Sequence, residues 1–360
     1  MKTQWTNDHN LITLRSSSLK KAAFSLACLI LTGILVSCSP KRPEPEKAYI
    51  PENYLAQSTL ISFDRAALNE IPGNPYPTLS VPTYITKVED CYFIVDCYHN
   101  QVIYHDNLTD PLYQWQVMTD DISMGHTLAS DGLVYLIDDT ENNRILVMEK
   151  AYNEKGQQIF VPTQEFTGIG NRPHYIIYDD YTDTFYAWSS MSGEMYLFRH
   201  PEGDPRMYLT EVRSIPALRD VYVRSFTIVE DTIFFVSGTP YCSVLEADLY
   251  SFEIKKEYPV PSEIAGMIQL IPIGDFFYIT VSTDSNGNQD YATLLRVRDL
   301  DALCAGDYED VYQNFIGGGT PYYITKIEDT WYLTEHRVPG HSIWSFKVDD
   351  NNITNVTSIY

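Results

Sequence analysis

Short-spaced chemistry is what this sequence lacks. Six cysteines occur in 360 residues, and no pair follows CxxC or another metal-binding spacing, which excludes a zinc ribbon and a dithiol redox centre. No HExxH occurs, and the glycine run at 317–319 leads into Thr320 rather than into Lys followed by Ser or Thr. Neither a zincin nor a phosphate-cradling loop is therefore written here. Positive charge is also scarce: 25 Lys and Arg stand against 48 Asp and Glu, a net of −23. Such a surface repels phosphate backbones, so the reading is no nucleic acid. Helix-period patterns are few, and the longest apolar run, residues 22–35, is short for a membrane-spanning helix.

What is present is aromatic and repetitive. The 28 tyrosines and 15 phenylalanines suit a pleated, half-buried surface and favour an all-β fold. The octet TYITKVED at 83–90 returns as YYITKIED at 322–329. Each copy runs into a second strand and then a third, and weaker copies lie between. Aligning the first strand of each copy on its hairpin puts Tyr84, His126, His174, Ser225, Gln269 and Tyr323 in register, with second strands ending at Asp96, Asp138, Ser189, Ser237, Val281 and Glu335. Turn residues such as Glu89 and Asp90, Asp131 and Gly132, or Glu328 and Asp329 fall between first and second strands in phase with the repeat. Four short strands recurring every forty to fifty residues predict a six-bladed β-propeller with four-stranded blades. A short strand near residues 59–63 is placed at the edge of the first or last blade.

The amino terminus reads as a targeting segment. Arg15, Lys20 and Lys21 precede the apolar run, which closes on Leu35, Val36, Ser37 and Cys38. That order is a secretory signal, and it resembles the bacterial lipoprotein box. The resemblance implies cleavage before Cys38 and a diacylglycerol on its thiol, anchoring the chain at a membrane. The organisation expected is a signal over residues 1–37, a lipidated cysteine with a Pro-rich tether over 38–53, and the propeller over 54–360. Its place is then the bacterial cell envelope, lipid-anchored on the extracytoplasmic side. Cys91, Cys97, Cys242 and Cys304 remain. Cys91 and Cys97, about 20 Å apart along an extended chain, cannot bridge each other, though one long-range disulfide stays open.

The segments FIVDCYHNQVIYHD at 93–106 and LIDDTENNRILVME at 136–149 resemble NHL-type six-bladed propellers in their aspartate, polar turn and asparagine before the third strand. Such a fold gathers inner-strand starts and the turns between second and third strands at one face of a central channel. There Tyr84, Asp96, His126, Asp138, His174, Tyr323 and Glu335 are candidate binding residues, with Arg172, Arg224 and His336 near the rim. The expectation is a non-catalytic propeller that binds a ligand or a protein, such as one of the envelope, at that face. The alternative is a metal-dependent hydrolase or lyase in which His126, His174 and a nearby carboxylate, Asp138 or Asp96, hold a divalent metal, zinc or calcium. A separate calcium loop is weighed at Asp284, Asn286, Asn288 and Asp290, whose oxygens alternate along the chain.

Overall fold

The computed structural model describes residues 57–63, 69–238 and 242–360, all within the compact unit Ala48–Tyr360. The signal, Cys38 and the tether lie outside the described residues. Six antiparallel sheets follow one another along the chain, each with four consecutive strands running in simple up-and-down order. Blade one comprises Pro82–Val88, Cys91–Asp96, Gln101–His105 and Gln116–Thr119; blade six ends with Asn352–Ser358. The first strands of blades two to six are Leu128–Ser130, Pro173–Asp179, Val223–Val229, Met267–Ile273 and Thr320–Ile327. The only α-helix among the described residues is the short Leu300–Ala305 in blade five.

Alternation of side chains explains how each sheet is covered on both faces. On the second strand of blade one, Phe93 and Val95 pack against blade two, while Ile94 packs toward blade six. The same division recurs around the molecule, so that the buried hydrophobic residues separate into six clusters, one at each junction of neighbouring blades. Truncating a filled position such as Phe93 to alanine is expected to cost about 3–5 kcal/mol.

Polar side chains close the ring around the axis. Thr83 Oγ1 donates to His126 O, the Ile176 amide donates to Thr127 Oγ1, and His174 Nδ1 donates to Arg224 O. Ser225 Oγ donates to Ile268 O, Gln269 exchanges two bonds with the Ile324 backbone, and Thr325 Oγ1 donates to Ile85 O. Each blade thereby satisfies main-chain groups of the next, including the step from blade six back to blade one. The carboxyl end reinforces that last seam, because Tyr360 Oη accepts from Trp115 Nε1 at 2.9 Å and donates to Asp110 O.

Three sequence expectations need correction. The strand Gln57–Leu60 joins the outer edge of blade two, pairing with Gln158–Thr167, not the first or last blade. Blade two's second strand ends at Asp139, so Asp139, not Asp138, is the counterpart of Asp96. Each accepts the amide sixteen residues earlier, Ser80 and Ser123, at 2.7 Å. The Cys97 backbone lies in the turn after its strand, and Cys91, Cys97, Cys242 and Cys304 are all free thiols.

Candidate functional site at the channel mouth

A bulge at the start of each first strand builds the site. The strand register leaves one residue unopposed in blade after blade: Thr83 in blade one, His174 in blade three, Arg224 in blade four and Ile268 in blade five. In blade six the amide of Tyr323 donates to Thr334 Oγ1, as that of Gln269 does to Thr280 Oγ1, which makes Tyr322 the extra residue. In blade two the Thr127 amide donates to Asp138 Oδ1 and puts His126 at the same step. A bulge re-aims the side chain of its extra residue, so Thr83, His126, His174, Arg224, Ile268 and Tyr322 form one row. Tyr84, Thr127, Tyr175, Ser225, Gln269 and Tyr323 form the next.

The upper row lines the mouth. The rings of His126 and His174 stack at 3.7 Å, and Tyr322 lies 5.9 Å beyond His126. The lower row plugs the channel beneath it: Tyr323 meets Tyr84 at 6.2 Å and, across the axis, Tyr175 at 5.0 Å. Tyr84, His126, His174 and Tyr323 therefore do converge, although in two layers. A third set comes from the residues just after the second strands. Among these, Cys97 Sγ approaches His126 Nε2 at 3.9 Å, Thr140 Oγ1 lies 3.0 Å from His126 Nδ1, and Ser282 Oγ accepts from Arg224 Nη1 at 2.5 Å. Ser190, at the same step of blade three, is fully buried with its hydroxyl unpartnered.

The three carboxylates expected at the face are committed elsewhere. Asp138 is fully buried and accepts from the His126 and Thr127 amides and from the Thr127 and Thr140 hydroxyls. Asp96 is held by the Ser80 amide and by His99 Nδ1 at 2.7 Å. Glu335 accepts from Tyr312 Oη and, at 2.7 Å, from Trp344 Nε1; burial pushes its carboxyl above the usual range. Gly319 is required beside it, since a Cβ there would stand 2.7 Å from Tyr312 Oη and 2.8 Å from Glu335 Oε2.

The metal and calcium expectations meet the same obstacle. Among the described residues no three His, Cys, Asp or Glu side chains are arranged to hold an ion. The two imidazoles lie face to face, so their nitrogens point along near-parallel planes instead of at a common centre, and Asp138 has its oxygens engaged. In the acidic loop Asp284 Oδ1 accepts the Asn286 and Asn288 amides, and Asn288 Oδ1 accepts the Asp290 amide. Those self-contained turns lower the Asp284 carboxyl, chiefly through the Asn288 amide.

What the mouth does present is a dyad beside an unneutralised cation. His174 is fully buried; its Nδ1–H donates to Arg224 O, so Nε2 accepts from Tyr222 Oη at 3.0 Å. Burial holds this imidazole well below the usual histidine range, aided by His126, Arg224 and Arg172. His336 is pushed down to about 4, by burial and then by Arg337 and Arg224. Arg224 has no carboxylate at ion-pair distance among the described residues, and its guanidinium lies 5.0 Å from the Tyr222 ring. Arg172, in contrast, is paired with Glu141. Tyr222 and Arg224 together open on a cavity of about 290 Å³, whose far wall is residues 283–287. Sequence reading put Arg224 at the rim and omitted Tyr222, two residues earlier; the signal available was an arginine at a ring position in a chain poor in basic residues.

No protein-family model matches the chain, and no curated protein matches it. Solved structures do. A candidate 6-phosphogluconolactonase from Bacteroides fragilis is similar with a TM-score of 0.55 at 10% identity, over 78% of this chain and 85% of that one. A second, from Bacteroides uniformis, has a TM-score of 0.52 at 11% identity, over 78% and 86%. At such identity the likeness establishes the propeller fold. Both are described as candidate 6-phosphogluconolactonases, a description that runs against the expectation of a propeller binding without turnover and stands nearer its hydrolase alternative.

Proposed function

We propose that the protein is a lactonase-type hydrolase that opens a small carboxylic ester ring at the channel mouth. The observation that carries this reading is Tyr222, hydrogen-bonded to the neutral, buried His174 and facing the same cavity as Arg224. The description of similar propellers as candidate 6-phosphogluconolactonases supports the substrate class.

Arg224 binds the ester carbonyl oxygen and stabilises the negative charge that develops there. The Tyr222 oxygen accepts a hydrogen bond from the attacking water while its own proton points at His174 Nε2. As the water oxygen bonds to the carbonyl carbon, its proton passes to Tyr222 and the tyrosine proton passes to His174. Collapse of the tetrahedral oxyanion breaks the ring C–O bond. The leaving alkoxide takes the proton back through Tyr222, and a hydroxy acid results. Nearby cations oppose the imidazolium, and the oxyanion held by Arg224 offsets that opposition during the reaction.

Ring opening of a panel of aldonolactones in a pH-stat tests the reading. Acceleration by the wild type, reduced at least a hundredfold in Tyr222→Phe and in Arg224→Ala, supports it. A wild-type rate equal to the buffer rate on every lactone ends it.

The remaining parts of the reading concern placement. Cys38 carries the lipid, residues 38–53 form the tether of an envelope-anchored enzyme, and its partners are the membrane and a small-molecule substrate. The order of basic, apolar and cysteine segments supports this, and metabolic labelling with a radioactive fatty acid, abolished by Cys38→Ala, checks it. The NHL-type likeness rests on blades one and two, where the turn after each aspartate ends in a left-handed asparagine, Asn100 and Asn143.

A further inference from the structure

A second cavity, of about 500 Å³, opens at the seam where blade six meets blade one. This falls within the size of small-molecule sites. Its wall is mainly apolar, from Leu79, Val81, Leu112, Val338 and Pro339, and Arg337 stands in it. Leu112 and Leu79 also belong to the hydrophobic cluster joining the two blades, so the floor is packed core. His336 lines the cavity as well, and its ring lies 6.3 Å from Tyr322 in the channel mouth. The two openings are therefore neighbours, but different residues build them.

Arg337 is the informative residue. Its Nη1 donates to Gln289 O and Thr320 Oγ1, each at 3.3 Å. Both acceptors are neutral, and no carboxylate stands at ion-pair distance among the described residues. Its backbone is held left-handed, at φ 80°, a conformation that a side-chain-bearing residue adopts at a cost. Tyr360 also lines the cavity, and its main-chain oxygen accepts from the Ser342 and Ile343 amides. In a chain with a net charge of −23, an exposed arginine with only neutral acceptors beside an apolar wall suits an apolar body ending in an anion such as a carboxylate, which a guanidinium takes through paired N–H groups.

We propose that the seam cavity is a binding site for a small amphipathic carboxylate, its apolar body against Leu79, Leu112 and Val338 and its anionic head on Arg337. Calorimetric titration of the full chain with 4-butylbenzoate and with its neutral isostere 4-butylbenzamide tests this. The benzoate is expected to saturate one site and the amide to bind at least tenfold more weakly. Arg337→Gln, at an exposed position, brings the benzoate down to the level of the amide. Val338→Trp, which fills the cavity, weakens both at least tenfold, with circular dichroism confirming its fold. Tyr222→Phe leaves both unchanged, which separates this site from the hydrolytic one. Absence of saturable benzoate binding overturns the proposal, as does wild-type affinity in Arg337→Gln.

Discussion

At the hairpin end of the propeller, His200 Nε2 donates to Asp131 at 2.6 Å, Lys87 pairs with Glu328 at 2.6 Å, and Lys150 reaches Glu89. At the mouth and the adjoining seam, Arg224 and Arg337 have no carboxylate at ion-pair distance among the described residues, and the buried His174 and half-buried His336 lie near cations. The same histidine chemistry is driven in opposite directions. The Asp131 bond raises His200 to about 8, whereas burial lowers His174 and His336. Paired charge at the hairpin end contributes to folding, whereas Arg224 and Arg337 are the cations on which the two proposals rest. The division is not complete, since Arg172 at the rim of the mouth is paired with Glu141.

The largest expected effect separates the ends by activity. Arg224→Ala removes 10²–10³ in kcat/KM on an opened lactone while shifting the thermal midpoint little. His200→Ala leaves kcat/KM unchanged; both are read by steady-state kinetics and calorimetry.

Acidification separates them by stability. His174 and His336 bind protons more readily when unfolded, with an unfolded value near 6.5. Unfolding takes up protons below that pH, so stability falls as the solution is acidified, for His336 until about pH 4. The expected slope is about 1.4 kcal/mol per pH unit for each histidine, and urea unfolding from pH 7 to 5 measures it. His336→Gln should remove one such slope.

His200 has the opposite sign. Its folded form holds the proton more tightly, so its contribution is complete below the unfolded value near 6.5 and is lost as the pH rises through about 8. His200→Gln is expected to cost about 1–2 kcal/mol at pH 6 and little at pH 9, by denaturant midpoints at the two pH values. Smallest is Lys87→Ala, which breaks an exposed pair and is expected to cost under about 1 kcal/mol.

Much of this fold was legible because the hairpins repeat in phase with the strands. Glu89, Glu230, Gly274 and Glu328 each take the left-handed conformation between first and second strands, and the sequence spacing marks all four. The site was less legible, because a bulge inserts one residue and shifts everything after it to the other face. Aligning on whole strands placed His126 and His174 beside Tyr84 and Tyr323, whereas the bulge puts the histidines one layer nearer the mouth, level with Arg224. Asp138 and Asp139 show the same one-residue ambiguity: both are acidic, and only the register tells which one caps the strand end. The partners of Glu335 were unreadable for another reason. Tyr312 lies 23 positions earlier in the chain, and nothing local to either residue announces the bond.

The most direct measurement is the rate of lactone ring opening by the wild type, Tyr222→Phe and Arg224→Ala, with His200→Ala as the control from the other end. Acceleration by the wild type and by His200→Ala, lost at least a hundredfold in the two mouth variants, is the predicted result. Four proteins that turn over at one rate, or none that exceeds buffer, would contradict the assignment of chemistry to the mouth.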